Sequence, residues 1–360
     1  MSGPLPYHPA ADYDHAERLA RGGEARAALR TARAALDAAR EAGDAAMVRR
    51  GLNAIAVCQN ASGRFIEAIA AATDAYSQSI AARDAREATN ALATLIGMTG
   101  FLYPLPDSGL PLLDECLDNA IRIGDKSIEA RVRMFRAMRL GGMGRFAEGE
   151  AEFAHIVRLS GEHDIKMPAS MLVLNWLVLA MRAAIAKDNV HDEAWDIALT
   201  RYAEALDHAR LERNNMAEMR AEANLVDIEF RRGNAAAAIA ALHRCLAIGT
   251  HLRQHHVLAD LHFMLAQHLD ARQENDKARD AYLDAYNCAE LSLPNRLVAD
   301  SAGHLARIAQ SNGDNSAAIL WRERERDHRA AFERERDNAK RELEAFFAAR
   351  PQLGNGAVAA

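Results

Sequence analysis

The 360-residue sequence has no paired-cysteine motif, no excess of basic charge and no catalytic signature. Its four cysteines, Cys58, Cys116, Cys245 and Cys288, are far apart and form no CxxC pair. That spacing excludes a zinc ribbon or a disulfide framework and points to core thiols in a reducing, cytoplasmic setting. The net charge of −6 offers no general basic field for nucleic acid or an anionic lipid surface. Residues 1–14 lack a basic stretch followed by an apolar run, so no secretory signal is expected there. The most apolar stretch, Met171 to Met181, is interrupted by Asn175 and reads as too short to span a membrane. No phosphate loop, nucleophile elbow or HExxH segment occurs, and no carboxylate spacing singles out an acid/base pair. An enzyme, a cofactor site and a metal site are therefore not expected.

What the chain does contain is a period. Turn positions fall at Gly23, Gly63, Pro104, Gly144, Glu193, Gly233, Gln273 and Gly313, in steps of 40 or 41 residues apart from one of 49. Five residues after each turn comes Ala28, Ala68, Gly109, Gly149, Ala198, Ala238, Ala278 or Ala318. Seven residues before each comes Ala16, Ala56, Gly97, Ala137, Ala186, Val226, Ala266 or Ala306. Two helices joined by a tight turn cross closely only where neither carries bulk, so small residues on both sides of a turn predict helix hairpins. Repetition at this period predicts stacked hairpins. Larger apolar residues, such as Ile55, Ile96, Leu225, Leu265 and Leu305, fill the layer beside each crossing. Gly43-Asp44 and Gly124-Asp125 mark loops between repeats, with Gly ending one helix and Asp capping the next. The long step is assigned to a loop at 161–167, ahead of a helix starting near Pro168.

The pattern resembles the tetratricopeptide repeat (TPR), in its long, bacterial regulatory form, over residues 13 to 330. The small residues Ala56, Gly97, Ala137, Ala266 and Ala306 before a turn, Ala28, Ala68, Ala198, Ala238, Ala278 and Ala318 after one, and the aromatics Phe153, Tyr202 and Tyr282 match its helix–turn–helix unit. The resemblance implies an all-α right-handed superhelical solenoid of eight helix pairs. The expected layout is a tail at 1–12, a solenoid at 13–316, a long charged helix at 317–349 and a second tail at 350–360. The stretch from Ser311 to Trp321 with its charged helix is similar to sensory repeat arrays that precede diguanylate cyclase domains, but no cyclase motif follows.

The resemblance also implies a function: capture of a protein or peptide in the groove lined by the first helix of each unit. The family's groove positions fall on Arg50, Asn53 and Asn60, then Met98 and Phe101, then Arg131, Met134 and Met138. Later units give Arg220, Asp227 and Phe230, then Asp260, Phe263 and Gln267. Asn can pair with a peptide amide, Arg can fork onto a carboxylate, and Met and Phe give adaptable apolar contact. A regulatory role beside an output protein on another chain is the alternative function.

Two further features stand out. Trp321, His328, Phe332, Leu343 and Phe346 lie on one stripe of the last helix, either packing back on the eighth repeat or pairing two copies as a homodimer. His251, His255, His256, His262 and His268 form a cluster in sequence, but its spacing does not suit one metal ion.

Overall fold

The computed structural model describes residues 8–22, 24–62, 64–102, 109–165, 167–189, 191–291 and 296–350, with backbone alone at 98–102. Among these residues there are helices and no strands. The helices follow one another as hairpins: α1 (Pro9–Arg21) with α2 (Ala25–Glu41), α3 (Ala45–Ala61) with α4 (Phe65–Ala81), and α5 (Ala85–Leu102) with α6 (Gly109–Arg122). Next come α7 (Lys126–Gly142) with α8 (Phe146–Glu162), and α9 (Ala169–Ala186) with α10 (Ala194–Leu211). The last three pairs are α11 (Asn215–Arg231) with α12 (Ala235–Leu252), α13 (His255–Ala271) with α14 (Asn275–Glu290), and α15 (Arg296–Ser311) with α16 (Asn315–Ala349). The chain divides into two compact units, Met1–Glu218 with Leu343–Ala360, and Met219–Glu342.

Local chemistry sets the helix ends. Gly43 and Gly124 take φ of +67° and +71°, the left-handed backbone that ends a helix cheaply only for glycine. The Asp44 N–H then reaches back to the Ala39 carbonyl at 3.0 Å, while its carboxylate caps α3 by accepting from the Met47 N–H at 3.0 Å. Asp125 caps α7 in the same way through the Ile128 N–H. Gln273 holds φ +61°, close to the +79° and +78° of Gly233 and Gly313, so the turn survives the loss of its glycine. The turn positions Gly23, Gly63 and Pro104 lie outside the described residues.

The small residues lie at the helix crossings. Ala28, Ala68, Ala198, Ala238 and Ala278 are wholly buried, as are Ala16, Ala56, Ala137 and Ala266. At Gly97 a methyl group would lie 2.7 and 2.9 Å from ring carbons of Phe135 on α7, so the aromatic ring rests against bare backbone. One register position departs: Ala186 is exposed and Ala184, two residues earlier, is the buried one. The extra length of that repeat is not confined to 161–167. It is split between 163–168 before α9 and 187–193 after it, and the second insertion shifts the turn away from the crossing. The first helix also begins earlier than expected, at Pro9, whose fixed φ suits a first helical turn.

In the first unit, α1 to α7 enclose one apolar core that includes Leu36, Tyr76, Leu92 and Leu113, against which Phe346 and Phe347 also pack. Another unites Met134, Phe153, Ile156 and Leu179. The second unit has its own core around Tyr282, Tyr286, Leu297 and Leu305. Buried charges are paired between the two helices of a hairpin. Glu222 on α11, 1% exposed, receives both arms of Arg244 on α12 at 2.9 and 2.8 Å. Glu129 and Glu152 share Arg133 at 3.0 and 2.9 Å. All four cysteines are free thiols; three are buried, and burial pushes Cys58 and Cys245 up to about 12. By length and composition α9 and α12 are long and apolar enough to cross a membrane, which corrects the expectation of too short a run; α9 is an 18-residue helix packed against α10.

Candidate ligand-binding faces

In the first unit the groove positions fall on α3 and α7. Arg50 is held by Asp14 of α1, 2.5 Å away. Asn53, one turn on, is 2% exposed, and its Oδ1 accepts no hydrogen bond among the described residues. The Oδ1 of Asn60, two turns further along the same face, and the neighbouring Gln59 Oε1 are in the same condition. On α7, the Arg131 guanidinium bonds the Asn90 side chain and lies 3.4 Å from the Asn90 carbonyl, while its Nε finds no acceptor. Burial lowers the pKa of Arg131; the carboxylates of Glu17, Glu87 and Asp125 act against that shift, and Arg21 adds to it. Met134 is a correction: it is 8% exposed and belongs to the α7–α9 core, so it does not line an open face. Met138 packs against the same core from its edge. The side chains of Met98 and Phe101 lie outside the described residues.

In the second unit Asp227 is tied to Arg231 on its own helix at 2.9 Å. Phe230 stacks on His268 with ring centres 4.4 Å apart. Phe263 meets Tyr282 and His304 edge-on at 5.5 and 5.6 Å and is partly buried against the core. Gln267 is exposed. Asp260 is open to solvent on one side, yet crowding by the neighbouring helices raises its carboxyl to about 6, against a weaker pull from Arg296. Arg220 is half-buried, and burial lowers its pKa with no carboxylate acting against it.

The histidines do not converge. His251 is exposed near the end of α12, His262 approaches Asp284 at 3.9 Å, and His268 is taken up by Phe230. Among the described residues no group of three His, Cys, Asp or Glu side chains could hold a metal ion. His256 is pulled down to about 4, first by burial, then by the charges of Arg220 and His255. In the unfolded chain it takes a proton near pH 6.5 that the folded chain refuses until about pH 4. Its contribution to stability is therefore present above pH 6.5 and lost as pH falls through that window. Asp260 works in the opposite sense, since its raised pKa favours the folded state as pH falls from 6 towards 4. His256→Gln should raise the melting temperature at pH 5 by several degrees more than at pH 7, and Asp260→Asn should raise it more at pH 7 than at pH 5. Equal shifts at the two pH values would contradict the assignment.

The stripe on α16 is occupied within the chain. Trp321 meets the Tyr286 ring at 5.1 Å, and His328 Nε2 lies 3.1 Å from the Tyr286 hydroxyl, both against α14. Phe332 is half-buried. Leu343 is 3% exposed, and Phe346 packs edge-on to Tyr76 of α4 at 5.4 Å. Arg350, expected in a tail, is instead anchored. It forks onto Glu115 of α6 at 2.9 and 2.5 Å and reaches the Tyr76 hydroxyl at 3.3 Å. On the charged surface of α16, Glu325 and Arg329, four apart, pair at 3.0 Å. Asp337 is taken by Arg336, and Arg341 by Asn338.

No protein-family model matches the chain, and no curated protein matches it. Solved structures do. A signal transduction ATPase with numerous domains (STAND) from Pyrococcus horikoshii, which carries a tetratricopeptide repeat sensor, aligns over 81% of this chain at 12% identity with a TM-score of 0.57. This chain spans only 42% of that protein's length. A Rap protein complexed with competence and sporulation factor aligns over 91% of this chain and 99% of its own, at 12% identity and a TM-score of 0.56. The fold is thus a TPR-like array of helix pairs, as the repeat period implied.

Proposed function

We propose that this chain is a non-enzymatic, cytoplasmic scaffold or sensor that captures a protein or peptide on the faces presented by the first helices of its hairpins. The observation that carries the reading is that three groove register positions hold a buried polar atom without a partner among the described residues. Buried polar groups in folded proteins are nearly always hydrogen-bonded. Here Asn53 Oδ1, Asn60 Oδ1 and Arg131 Nε lack partners among the described residues, and all three occupy groove register positions. An extended peptide supplies amide donors and carbonyl acceptors to match such atoms once they turn towards it. The fold shared with a Rap protein solved in complex with a factor supports the same reading. Asn53→Ala combined with Asn60→Ala should reduce what the chain captures from a lysate, read by mass spectrometry, with helix content unchanged. An identical set of captured proteins would remove the proposal. The likeness to a STAND sensor favours a regulatory version, in which the captured protein is a cyclase, a kinase or a transcription factor.

A further inference from the structure

A cavity of about 450 Å³ lies between α8 and α10, with α9 as its third wall. It falls at the repeat whose extra residues flank α9 and break the period. A volume of this order suits a small molecule. The apolar wall includes Phe146 and Ala147 of α8, Ala183 of α9 and Ile197 of α10. Ala147 and Ile197 are exposed, so the cavity is open to solvent beside them. Two charged side chains share this wall, Glu150 of α8 and Arg201 of α10. Both are placed by Trp176 of α9. Its Nε1 donates to Glu150 Oε2, and the Arg201 guanidinium lies 3.7 Å from the centre of its ring. Phe153 stacks on the same indole at 5.5 Å and holds it in place.

Opposite charges thus stand beside one indole in an otherwise apolar cavity, and no ion pair joins them. Each keeps bonding capacity. Glu150 Oε1 accepts no hydrogen bond among the described residues. Of the Arg201 nitrogens only Nη1 is engaged, by Glu204 at 2.7 Å. Glu204 is 42% exposed, and a surface pair of that kind holds its members weakly. We propose that the cavity binds a free α-amino acid with a bulky apolar side chain. Its ammonium donates to Glu150 Oε1, its carboxylate accepts from the remaining N–H groups of Arg201, and its side chain lies against Phe146, Ala183 and Ile197. A ligand with a single charge would meet one complementary and one like charge at the same place; a zwitterion satisfies both. The cavity is walled largely by the second helices α8 and α10, so the proposal does not depend on peptide capture by the first helices.

The test is calorimetric titration of the full chain with leucine, phenylalanine and alanine, and with two leucine analogues that each lack one charge, 3-methylbutylamine and 4-methylpentanoate. Leucine and phenylalanine should bind roughly tenfold or more tightly than alanine, because they bury at least three further carbons. Leucine should also exceed each analogue by roughly tenfold, the worth of one charge-assisted hydrogen bond. Glu150→Gln should abolish its advantage over 4-methylpentanoate, and Arg201→Gln its advantage over 3-methylbutylamine. Ala147→Leu and Ala183→Leu, which narrow the cavity and leave both charges in place, should each weaken leucine binding roughly tenfold. Ala147 is exposed, so the first of these variants should melt with the wild type. Absence of binding by leucine and phenylalanine at millimolar concentration overturns the site. Analogues that bind as tightly as leucine, or a leucine affinity indifferent to Ala147→Leu and Ala183→Leu, overturn the assignment of an apolar amino acid to it.

Discussion

Removing the Arg244 side chain should destabilise the protein by about 3 kcal/mol, although that side chain is 47% exposed. The cost arises at its partner. Glu222 is 1% exposed, and both of its oxygens are satisfied by the two arms of Arg244. Arg244→Ala leaves no cavity of consequence but strands a buried carboxylate. Breaking a buried pair from one side costs more than replacing both members, because the survivor keeps its desolvation penalty. Urea denaturation should therefore show a large loss for Arg244→Ala and a smaller one for Glu222→Gln with Arg244→Ala. A single-variant loss below about 0.5 kcal/mol, typical of an exposed pair, would show that Glu222 is solvated after all.

The second large effect concerns the hairpin crossings. Ala238→Leu should lower stability by about 3 kcal/mol, while Ala237→Leu should change it by less than about 0.5 kcal/mol. The two residues are adjacent in α12, yet Ala238 is wholly buried and Ala237 is exposed. Three added carbons at the first position must push α11 and α12 apart, against interiors packed like organic crystals. Paired thermal melts of the two variants decide the matter. Equal melting temperatures would mean that the hairpin does not depend on the absence of bulk at its crossing.

The crossings were legible because they are local. A helix, a turn and a second helix sit within one stretch of chain, and the constraint falls on single positions where a side chain of any size is excluded. Even Gln273, with no glycine to advertise the turn, could be placed by counting from its neighbours, and it adopts the left-handed backbone of Gly233 and Gly313. Counting fails only where length changes. The insertion at 187–193 moved the buried position from Ala186 to Ala184, because a register inferred by offset assumes the offset is constant.

The candidate faces were legible in outline and misread in detail. Position alone placed Arg50, Arg131 and Arg220 together, but their different fates depend on Asp14 and Asn90, residues some forty positions away that no periodicity singles out. Met134 carries the side chain expected of an adaptable surface, yet packing against Phe153 and Leu179 takes it into the interior. Arg350 and Glu115 are separated by more than two hundred positions, so nothing in the sequence links them. The histidines are the converse case, close in sequence yet spread over α12, the start of α13 and its far turns.

The anchoring of Arg350 on Glu115, with Phe346 against Tyr76, means that the first compact unit is assembled from chain that leaves the ribosome in two widely separated instalments. While residues 219–342 are being translated, the nascent polypeptide carries a finished N-terminal portion whose receiving surface on α4 and α6 stays bare. Covering of that surface waits until residues 343–350 have been synthesised.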